Sequence, residues 1–317
     1  MKIKFEKWHG CRNDFILIWL GPNQEITYDA IIRKTPFLCS KLGDGIGADG
    51  MIILHHLGEE HNPDRISIIN SDGSIAQTCG NGIRCAALAT LKKLCEFQQY
   101  SQELPDGISF KISDSLSTCR FLGPDKISNF DKPPLVAVDM GAPTINNQVS
   151  WFEEAQEQIK QCLTELNYFD QLINFSVCEL ANNHLILSFE EVSAEMIRKI
   201  GPHLQKSSLW DGINVHIVSP LKLSDQDQKI AQQILKSKLS ELHEIFIWER
   251  GAGETQACGS GACAVAACIL DDGMTPRDEW IGIQMPGGRV YVKQPEQNDP
   301  LTLVGPAAYI CSGDLDL

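Results

Sequence analysis

A short motif occurs twice in the 317-residue sequence, and it constrains the fold more than any other feature. Residues 77–82 read QTCGNG and residues 256–261 read QACGSG, so both copies follow the pattern Q-x-C-G-[N/S]-G. Each copy follows a strand-like run and a polar turn, and each precedes a segment rich in small apolar residues. Copies this far apart favour two similar domains over a short-period solenoid. The sequence therefore predicts a duplicated α/β unit.

The rest of the chain alternates between short apolar runs and longer amphipathic segments. Strand-like runs bounded by turn-forming residues occur at residues 2–5, 15–20, 51–54, 66–69, 108–112, 135–138, 185–189, 213–218, 245–248, 281–285, 290–292 and 301–304. Helical spacing occurs at residues 30–41, 152–166, 194–206 and 226–239. Residues 81–94 and 260–270 are apolar on nearly every face, which is typical of buried helices. The tripeptide Pro286-Gly287-Gly288 predicts a hairpin, and residues 131–134 (DKPP) are the best candidate linker.

The charge composition argues against two classes of binding partner. The net charge is −14 and basic runs are absent, so neither nucleic acid nor an anionic membrane is an expected partner. Residues 1–7 alternate like a strand rather than a signal peptide, and the apolar stretches at 15–20 and 261–270 are too short to span a bilayer. Without a secretion signal, the 12 cysteines are expected to be thiols in a reducing cytoplasm.

Each motif places a cysteine, Cys79 or Cys258, immediately before a glycine-rich helix start. Unpaired backbone N–H groups and the positive end of the helix dipole favour an anion there. This placement is expected to lower the pKa of the thiol, because the thiolate is stabilised. The glycines let a substrate carboxylate approach the same N–H groups closely. Each motif therefore offers a potential base together with a carboxylate cradle.

Two such sites, one from each half and facing one another, would put a thiol on either side of a shared substrate. One thiolate would remove the α-proton of an amino acid, and the opposite thiol would deliver a proton to the other face. Fixed N–H dipoles would stabilise the extra negative charge on the carboxylate of the intermediate. The motif pair therefore predicts inversion at a carbon stereocentre.

Other interpretations of the cysteines carry less weight. A single cysteine before a glycine is more often structural, but two copies in matched contexts reverse that judgement. The spacings 79/85 and 258/263/268 are not the two-residue pairs of structural zinc sites. A redox C-x-x-C motif is absent, and neither glycine cluster has the Lys-Ser/Thr of a phosphate-binding loop. Four further cysteines fall inside the predicted buried helices and are expected to pack in the core: Cys85, Cys95, Cys263 and Cys268.

At these residues the sequence resembles the diaminopimelate epimerase family. Residues 70–74 (NSDGS) with 79–85 (CGNGIRC) resemble the first cysteine signature of that family, and residues 249–263 (ERGAGETQACGSGAC) resemble the second. His9-Gly10 with residues 13–15 (NDF), the loop 45–50 (GIGADG) and residues 305–307 (GPA) also fit. The likeness covers essentially the whole chain.

The resemblance implies a fold of class α/β (α+β) with two pseudo-symmetric domains. Each domain would be a β-barrel-like sheet around a central helix, with the active site in the cleft between them. The N-terminal epimerase domain would comprise residues 1–134, completed by a C-terminal strand at 306–317. The C-terminal epimerase domain would comprise residues 135–305. No cofactor is implied, neither pyridoxal phosphate nor metal.

The resemblance also implies roles for individual residues. Cys79 and Cys258 would be the acid/base pair, and Glu249 and His184 would assist at the reacting centre. Backbone N–H groups would hold the reacting carboxylate at Gly80, Asn81, Gly259 and Ser260. The amino and carboxylate groups of the substrate would contact Asn13, Asn70, Asn182, Asn214 and Arg250.

The implied reaction is conversion of L,L-diaminopimelate to meso-diaminopimelate, in lysine and peptidoglycan biosynthesis. The implied partner is a small-molecule amino acid, and a homodimer is possible. A racemase of broader or different specificity on the same fold, for example for glutamate, is the alternative. A thiol-redox or zinc-binding protein, or a non-catalytic interaction module, is more remote.

Two positions depart from the family pattern. Arg12 stands where the family has a glycine before the first-motif Asn, and Asn183 stands where it has a proline between Asn and His. Replacing proline frees a backbone N–H and loosens φ. We therefore hypothesise a looser pocket that accepts a shorter dicarboxylic amino acid such as glutamate.

Overall fold

The computed structural model describes residues 2–22, 25–56, 63–76, 78–97, 105–123, 133–206 and 212–316. Contacts divide the chain into two units, Met1–Val138 with Gly305–Leu317, and Asp139–Val304. The division falls after Val138, four residues beyond the boundary expected from the sequence. Of the candidate linker, residues 131–132 lie outside the described residues, and Pro133 and Pro134 immediately precede a strand.

Unit 1 contains a sheet and two helices. Its elements are β1 Lys2–Gly10, β2 Asn13–Leu20, α1 Glu25–Leu38, β3 Gly50–His55, β4 Arg65–Asn70, β5 Ile75–Ala76, α2 Gly80–Phe97, β6 Gly107–Ile112, β7 Ser115–Leu122 and β8 Leu135–Asp139, with the last strand of the chain, Ala308–Asp316, added to them. That last strand pairs antiparallel with β1. From the sequence, a strand of the first domain was expected at residues 306–317.

Unit 2 repeats the pattern and adds two helices, α3 and α5. Its elements are β9 Thr144–Ile145, α3 Phe152–Glu165, β10 Leu172–Leu180, β11 Asn182–Phe189, α4 Ala194–Gln205, β12 Asn214–Leu221, α5 Asp225–Ile230, β13 Leu239–Glu249, β14 Gly253–Thr255, α6 Gly259–Asp271, β15 Trp280–Met285, β16 Gly288–Lys293 and β17 Thr302–Gly305. Single 3-10 turns lie at Asn146–Gln148 and Phe169–Gln171, and a π turn at Ala231–Leu235 extends α5.

The two units share one order of strand pairings. In unit 1, β1–β2 is antiparallel, β2–β3 parallel, β3–β4 and β4–β5 antiparallel, β4–β6 parallel, and β6–β7 and β7–β8 antiparallel. In unit 2, the pairs β10–β11, β11–β12, β12–β13, β13–β14, β13–β15, β15–β16 and β16–β17 repeat that series in the same order. Helices α1 and α4 occupy the first parallel crossover, and α2 and α6 the second. The prediction of a duplicated α/β unit is confirmed, and α3 and α5 have no counterpart among the described residues of unit 1.

A buried helix lies at the centre of each unit. Every residue of α2 from Gly80 to Leu91 is buried, and this helix packs against β1, β2, β3, β7 and the C-terminal strand. Helix α6 is buried from Gly261 to Cys268 and packs against β9, β10, β11, β12, β15 and β16. The outer face of each sheet is covered by other helices, α1 in unit 1 and α3 with α4 in unit 2. The expected sheet around a central helix is confirmed in both units.

The strand and helix predictions are largely confirmed. Each predicted strand run coincides with an observed strand, although the runs at 213–218 and 301–304 begin one residue before it. The hairpin at Pro286-Gly287 joins β15 to β16 with Met285 opposite Gly288. The helix expected over 226–239 is wrong at its C-terminal end. It stops at Leu235 because Lys236 adopts a left-handed conformation (φ 53°), and Leu239 already begins β13. Among the described residues, no helix has the length and apolar content needed to cross a membrane.

The turn between β1 and β2 explains how Arg12 is accommodated. Gly10 pairs with Asn13, so only Cys11 and Arg12 form the loop, with φ of 53° and 65°. Two positive φ values in a two-residue hairpin loop define a type I′ turn, and the second position of such a turn favours glycine. The departure from the family pattern therefore places a non-glycine residue in a left-handed conformation at the entrance to β2.

We predict that Arg12→Gly raises the free energy of unfolding by about 0.5–1 kcal/mol, because it removes the left-handed cost of a residue with a Cβ. Chemical denaturation measures the change. The control is Arg120→Gly on β7, an exposed strand residue, which should instead lose a similar amount. If Arg12→Gly destabilises the protein as much as Arg120→Gly does, the turn assignment is wrong.

Candidate active site

The first motif cysteine lies directly before the central helix of unit 1. Helix α2 begins at Gly80, and the carbonyl of Cys79 accepts the N–H of Ile83 at 2.8 Å. The N–H of Gly82 donates to Cys79 Sγ at 3.4 Å. The sulfur therefore accepts one of the first-turn N–H groups that have no partner within the helix. Cys79 is half-buried.

Asn81 and Asn13 are joined in unit 1 by a directional series of hydrogen bonds. Arg84 Nη2 donates to Asn81 Oδ1 at 2.7 Å, Asn81 Nδ2 donates to Asn13 Oδ1 at 3.0 Å, and Asn13 Nδ2 donates to Asp49 Oδ2 at 2.9 Å. An arginine can only donate and a carboxylate can only accept, so both amide orientations are defined. Asn70 has another role, since its Nδ2 donates to Ser74 Oγ at 2.9 Å and closes the turn after β4.

The second motif cysteine is the N-cap of α6. Cys258 Sγ accepts the N–H of Gly261 at 3.3 Å and lies 3.5 Å from Ser260 Oγ. Only 5% of Cys258 is exposed. Burial raises the pKa of this thiol well above its usual value, and the nearby Glu249 carboxylate raises it further, against the opposing hydrogen bonds of Ser260 and Gly261. The expectation of a lowered thiol pKa is therefore wrong for Cys258, because burial outweighs the helix start.

The remaining polar residues of unit 2 lie on β11, β12 and β13. Glu249 ends β13, where Thr255 Oγ1 donates to its Oε1 at 2.5 Å. Asn214 begins β12, and its Oδ1 accepts the backbone N–H of Arg250 at 2.9 Å. The Arg250 residue is exposed. Asn214 is also the strand partner of His184 in the parallel β11–β12 pairing.

Asn182 and Asn183 are the first two residues of β11. Asn182 is exposed and lies opposite Leu180, while Asn183 is half-buried opposite Glu179. Asn183 is thus part of the β10–β11 ladder, immediately after Ala181, which turns the chain with φ of 58°.

His184 is completely buried and forms a pair with a second histidine. Its Nδ1 lies 2.9 Å from His216 Nε2, and the two rings stack with centroids 5.2 Å apart at 30°. Burial lowers the pKa of His184 to about 4, although the Leu180 carbonyl raises it somewhat, so the ring is neutral at pH 7. Burial also lowers the pKa of His216, and His184 lowers it further.

His216 is a residue that sequence reasoning missed. It follows Asn214 by two positions on β12, so both side chains project from the same face of the strand. Strand periodicity could therefore have placed it beside the site, but no motif includes it.

Four further cysteines lie within the central helices. Cys85, Cys263 and Cys268 are buried and Cys95 is half-buried, which fits the core role expected for them. Among the residues that the structure describes, no cluster of three or more His, Cys, Asp or Glu side chains is placed to hold a metal ion.

Solved structures with low sequence identity share this fold. A phenazine biosynthesis protein of the PhzF family from Bacillus anthracis superposes with a TM-score of 0.62 at 11% identity, covering 100% of both chains. A hydroxyproline epimerase from Agrobacterium vitis superposes with a TM-score of 0.58 at 10% identity, covering 99% of this chain and 92% of that one. The fold is thus the two-domain α+β architecture found in PhzF-type and epimerase proteins.

Sequence comparison identifies the family. The model of the family described as diaminopimelate epimerase matches residues 5–118 and 176–310, and the chain belongs to that family. A diaminopimelate epimerase from Prochlorococcus marinus (strain NATL1A) is 30% identical over 325 residues, covering 100% of both chains. One from Bacillus subtilis (strain 168) is 27% identical over 313 residues, covering 98% of this chain and 97% of that protein. The protein is an isomerase of the amino-acid epimerase and racemase class.

The repeat supplies a matched test of the packing around the second cysteine. A Cβ on Gly261 would lie 2.2 Å from His216 Cε1, whereas a Cβ on the equivalent Gly82 would lie 3.2 Å from the terminal Cδ1 of Ile52. We predict that Gly261→Ala lowers the free energy of unfolding by about 1–3 kcal/mol through overpacking. Gly82→Ala should stay within about 1 kcal/mol of wild type, because the helix preference of alanine offsets the milder contact. Denaturant titration of both variants measures the difference, and equal effects would contradict the close approach of His216.

The surroundings of Cys258 give a second test. Replacing Glu249 by Gln removes a negative charge that raises the pKa of Cys258. We predict that the pH midpoint for alkylation of Cys258 by iodoacetamide, followed by mass spectrometry, moves downward in Glu249→Gln. The control is Glu254→Gln, because Glu254 pairs with Arg198 at 2.7 Å and should leave the midpoint unchanged. An unchanged or higher midpoint in Glu249→Gln would show that the carboxylate does not act on this thiol.

Proposed function

We propose that the protein converts L,L-diaminopimelate to meso-diaminopimelate by a two-base reaction in which Cys79 and Cys258 exchange protons with Cα. The observation that carries this proposal is the equivalence of the two cysteines. Each precedes a central helix, and each sulfur accepts the N–H three residues later, at 3.4 Å from Gly82 and 3.3 Å from Gly261. Membership of the diaminopimelate epimerase family supports the choice of substrate.

The proposed reaction balances with the two thiols alone. One cysteine, as thiolate, takes the Cα proton and becomes a thiol, and the electron pair of the broken C–H bond is delocalised into the substrate carboxylate. The other cysteine, as thiol, then gives its proton to the opposite face of Cα and becomes a thiolate. The two protonation states are exchanged after one turnover, and solvent exchange at the sulfurs restores them.

The carboxylate of the intermediate carries most of the new charge. In the proposal, the N–H groups at the two helix starts hold it, from Gly80 and Asn81 in one unit and Gly259 and Ser260 in the other. Hydrogen-bond donors that are already oriented stabilise developing charge without reorganisation. Both helices are held rigidly by burial, which suits this function.

The polar side chains would recognise the rest of the substrate. Glu249 and His184 would assist at the reacting centre, and contacts to the amino and carboxylate groups would come from Asn13, Asn70, Asn182, Asn214 and Arg250. The bond from Arg250 N–H to Asn214 Oδ1 supports a joint role for these two residues. A guanidinium forms a paired hydrogen bond with a carboxylate, so Arg250 suits the distal carboxylate of a dicarboxylic amino acid.

We predict that Cys79→Ala and Cys258→Ala each lower turnover of L,L-diaminopimelate by about 10²- to 10⁴-fold, because each removes one acid/base group. Wild-type product formed in deuterated water should carry deuterium at Cα. Turnover with L,L-diaminopimelate and with L-glutamate, measured in parallel by chiral chromatography and mass spectrometry, tests substrate and mechanism together.

The controls are Cys95→Ala and Cys162→Ala, two half-buried cysteines outside the motif positions, which should retain turnover. Unlabelled product, or full activity in either motif variant, would refute the two-base scheme. Racemisation of L-glutamate without turnover of L,L-diaminopimelate would leave the chemistry standing and reassign the substrate.

A further inference from the structure

The surroundings of the buried His184–His216 pair determine which ring nitrogen of each histidine carries its proton. Both rings are completely buried, and Nδ1 of His184 and Nε2 of His216 are 2.9 Å apart. A neutral imidazole has one N–H and one lone pair. One proton therefore lies between the rings, and it belongs to one of them. Its position decides which nitrogen of His184 presents a hydrogen to its surroundings.

The start of α6 favours one of the two arrangements. The ring of His216 lies against the first turn of this helix, so closely that a Cβ on Gly261 would be 3.0 Å from His216 Nδ1. Nδ1 of His216 is buried and has no hydrogen-bond partner within the described part of the chain. The helix start is the positive end of the dipole, where exposed N–H groups favour a lone pair over another N–H. The proton of His216 is thus on Nε2, which faces His184.

The other side of His184 agrees with this assignment. The backbone of Leu180, whose carbonyl can only accept, lies near enough to the ring to raise the pKa of His184. Nε2 of His184 is buried without a hydrogen-bond partner among the described residues, and Nδ1 is engaged by His216. A carbonyl beside the ring favours a proton on the nitrogen that His216 does not engage. Both neighbours therefore favour the same tautomer.

We infer that His216 is a positioning residue that donates from Nε2 to His184 Nδ1 and so holds His184 as the neutral tautomer with its proton on Nε2. The inference rests on the proposed role of His184 at the reacting centre. Held in this form, His184 offers a hydrogen-bond donor and has no lone pair left for a proton. It then stabilises negative charge in the proposed site, and proton transfer at Cα is left to the cysteines.

Nuclear magnetic resonance of protein labelled with 15N-histidine tests the tautomer directly, without substrate. Spectra of His184→Gln and His216→Gln assign the two rings. In wild type, His184 should be protonated at Nε2 and His216 also at Nε2. A proton on Nδ1 of His184 would overturn the inference, whether or not the enzyme turns over its proposed substrate.

Kinetics of a matched pair of variants tests the consequence. Glutamine at position 216 can still donate from its amide to His184 Nδ1, whereas methionine of similar length cannot. His216→Met should lower kcat by about 10- to 100-fold with KM changed little, and His216→Gln should restore most of the loss. The control is His243→Gln, because His243 pairs with Glu241 at 2.6 Å and should keep full activity.

The outcomes separate the two proposals. Equal activity of His216→Met and His216→Gln would refute the positioning role even if the wild-type enzyme is fully active. If wild type turns over neither L,L-diaminopimelate nor L-glutamate, the proposed function fails, and the tautomer measured without substrate still decides the assignment of His216.

Discussion

Both units depend on finding hydrogen-bond partners for the first-turn N–H groups of a buried helix. Helices α2 and α6 are enclosed by their sheets, and the residues of their first turns are buried except Ser260, so little water can replace a protein partner for their N–H groups. In each helix a cysteine sulfur accepts one of these groups, and glycines keep the approach open. Unpaired N–H groups in a buried first turn are costly unless something negatively polarised meets them. The same requirement supports the proposal that an anionic substrate binds at these helix starts.

The two units share this beginning but differ in the polar groups around it. At α2 the neighbours form a series from Arg84 through Asn81 and Asn13 to Asp49, in which donor and acceptor roles are defined at both ends. At α6 the neighbours are an acid, Glu249, and two neutral imidazoles. The first setting holds amide groups in place. In the second setting, burial lowers the pKa values of His184 and His216 and raises that of Cys258.

Much of the fold could be predicted from the sequence because its patterns are local. The spacing of apolar residues and the turn residues between them predicted the strand runs, the two buried helices and the repeat. Strands such as Ser115–Leu122 were missed because only one of their side chains, Cys119, is buried, which removes the apolar alternation. The end of α5 at Lys236 was missed because a left-handed lysine carries no compositional signal.

The motif cysteines were placed at helix starts correctly, but the pKa of Cys258 depends on burial and on Glu249, which only three-dimensional packing reveals. His216 was missed because no motif includes it, although it lies on the same strand face as Asn214, and its closeness to Gly261 joins a strand to a helix distant in the chain.

The identical series of pairings in the two units points to their history. A series of antiparallel and parallel pairings with crossover helices at the same two places is the pattern that duplication and fusion of one gene would produce. A single ancestral copy would have carried one reactive sulfur per polypeptide, and an inversion requiring two would have needed two polypeptides. Within one chain the two halves need not match, and here one has α5 and the histidine pair while the other has the hydrogen-bonded Arg84.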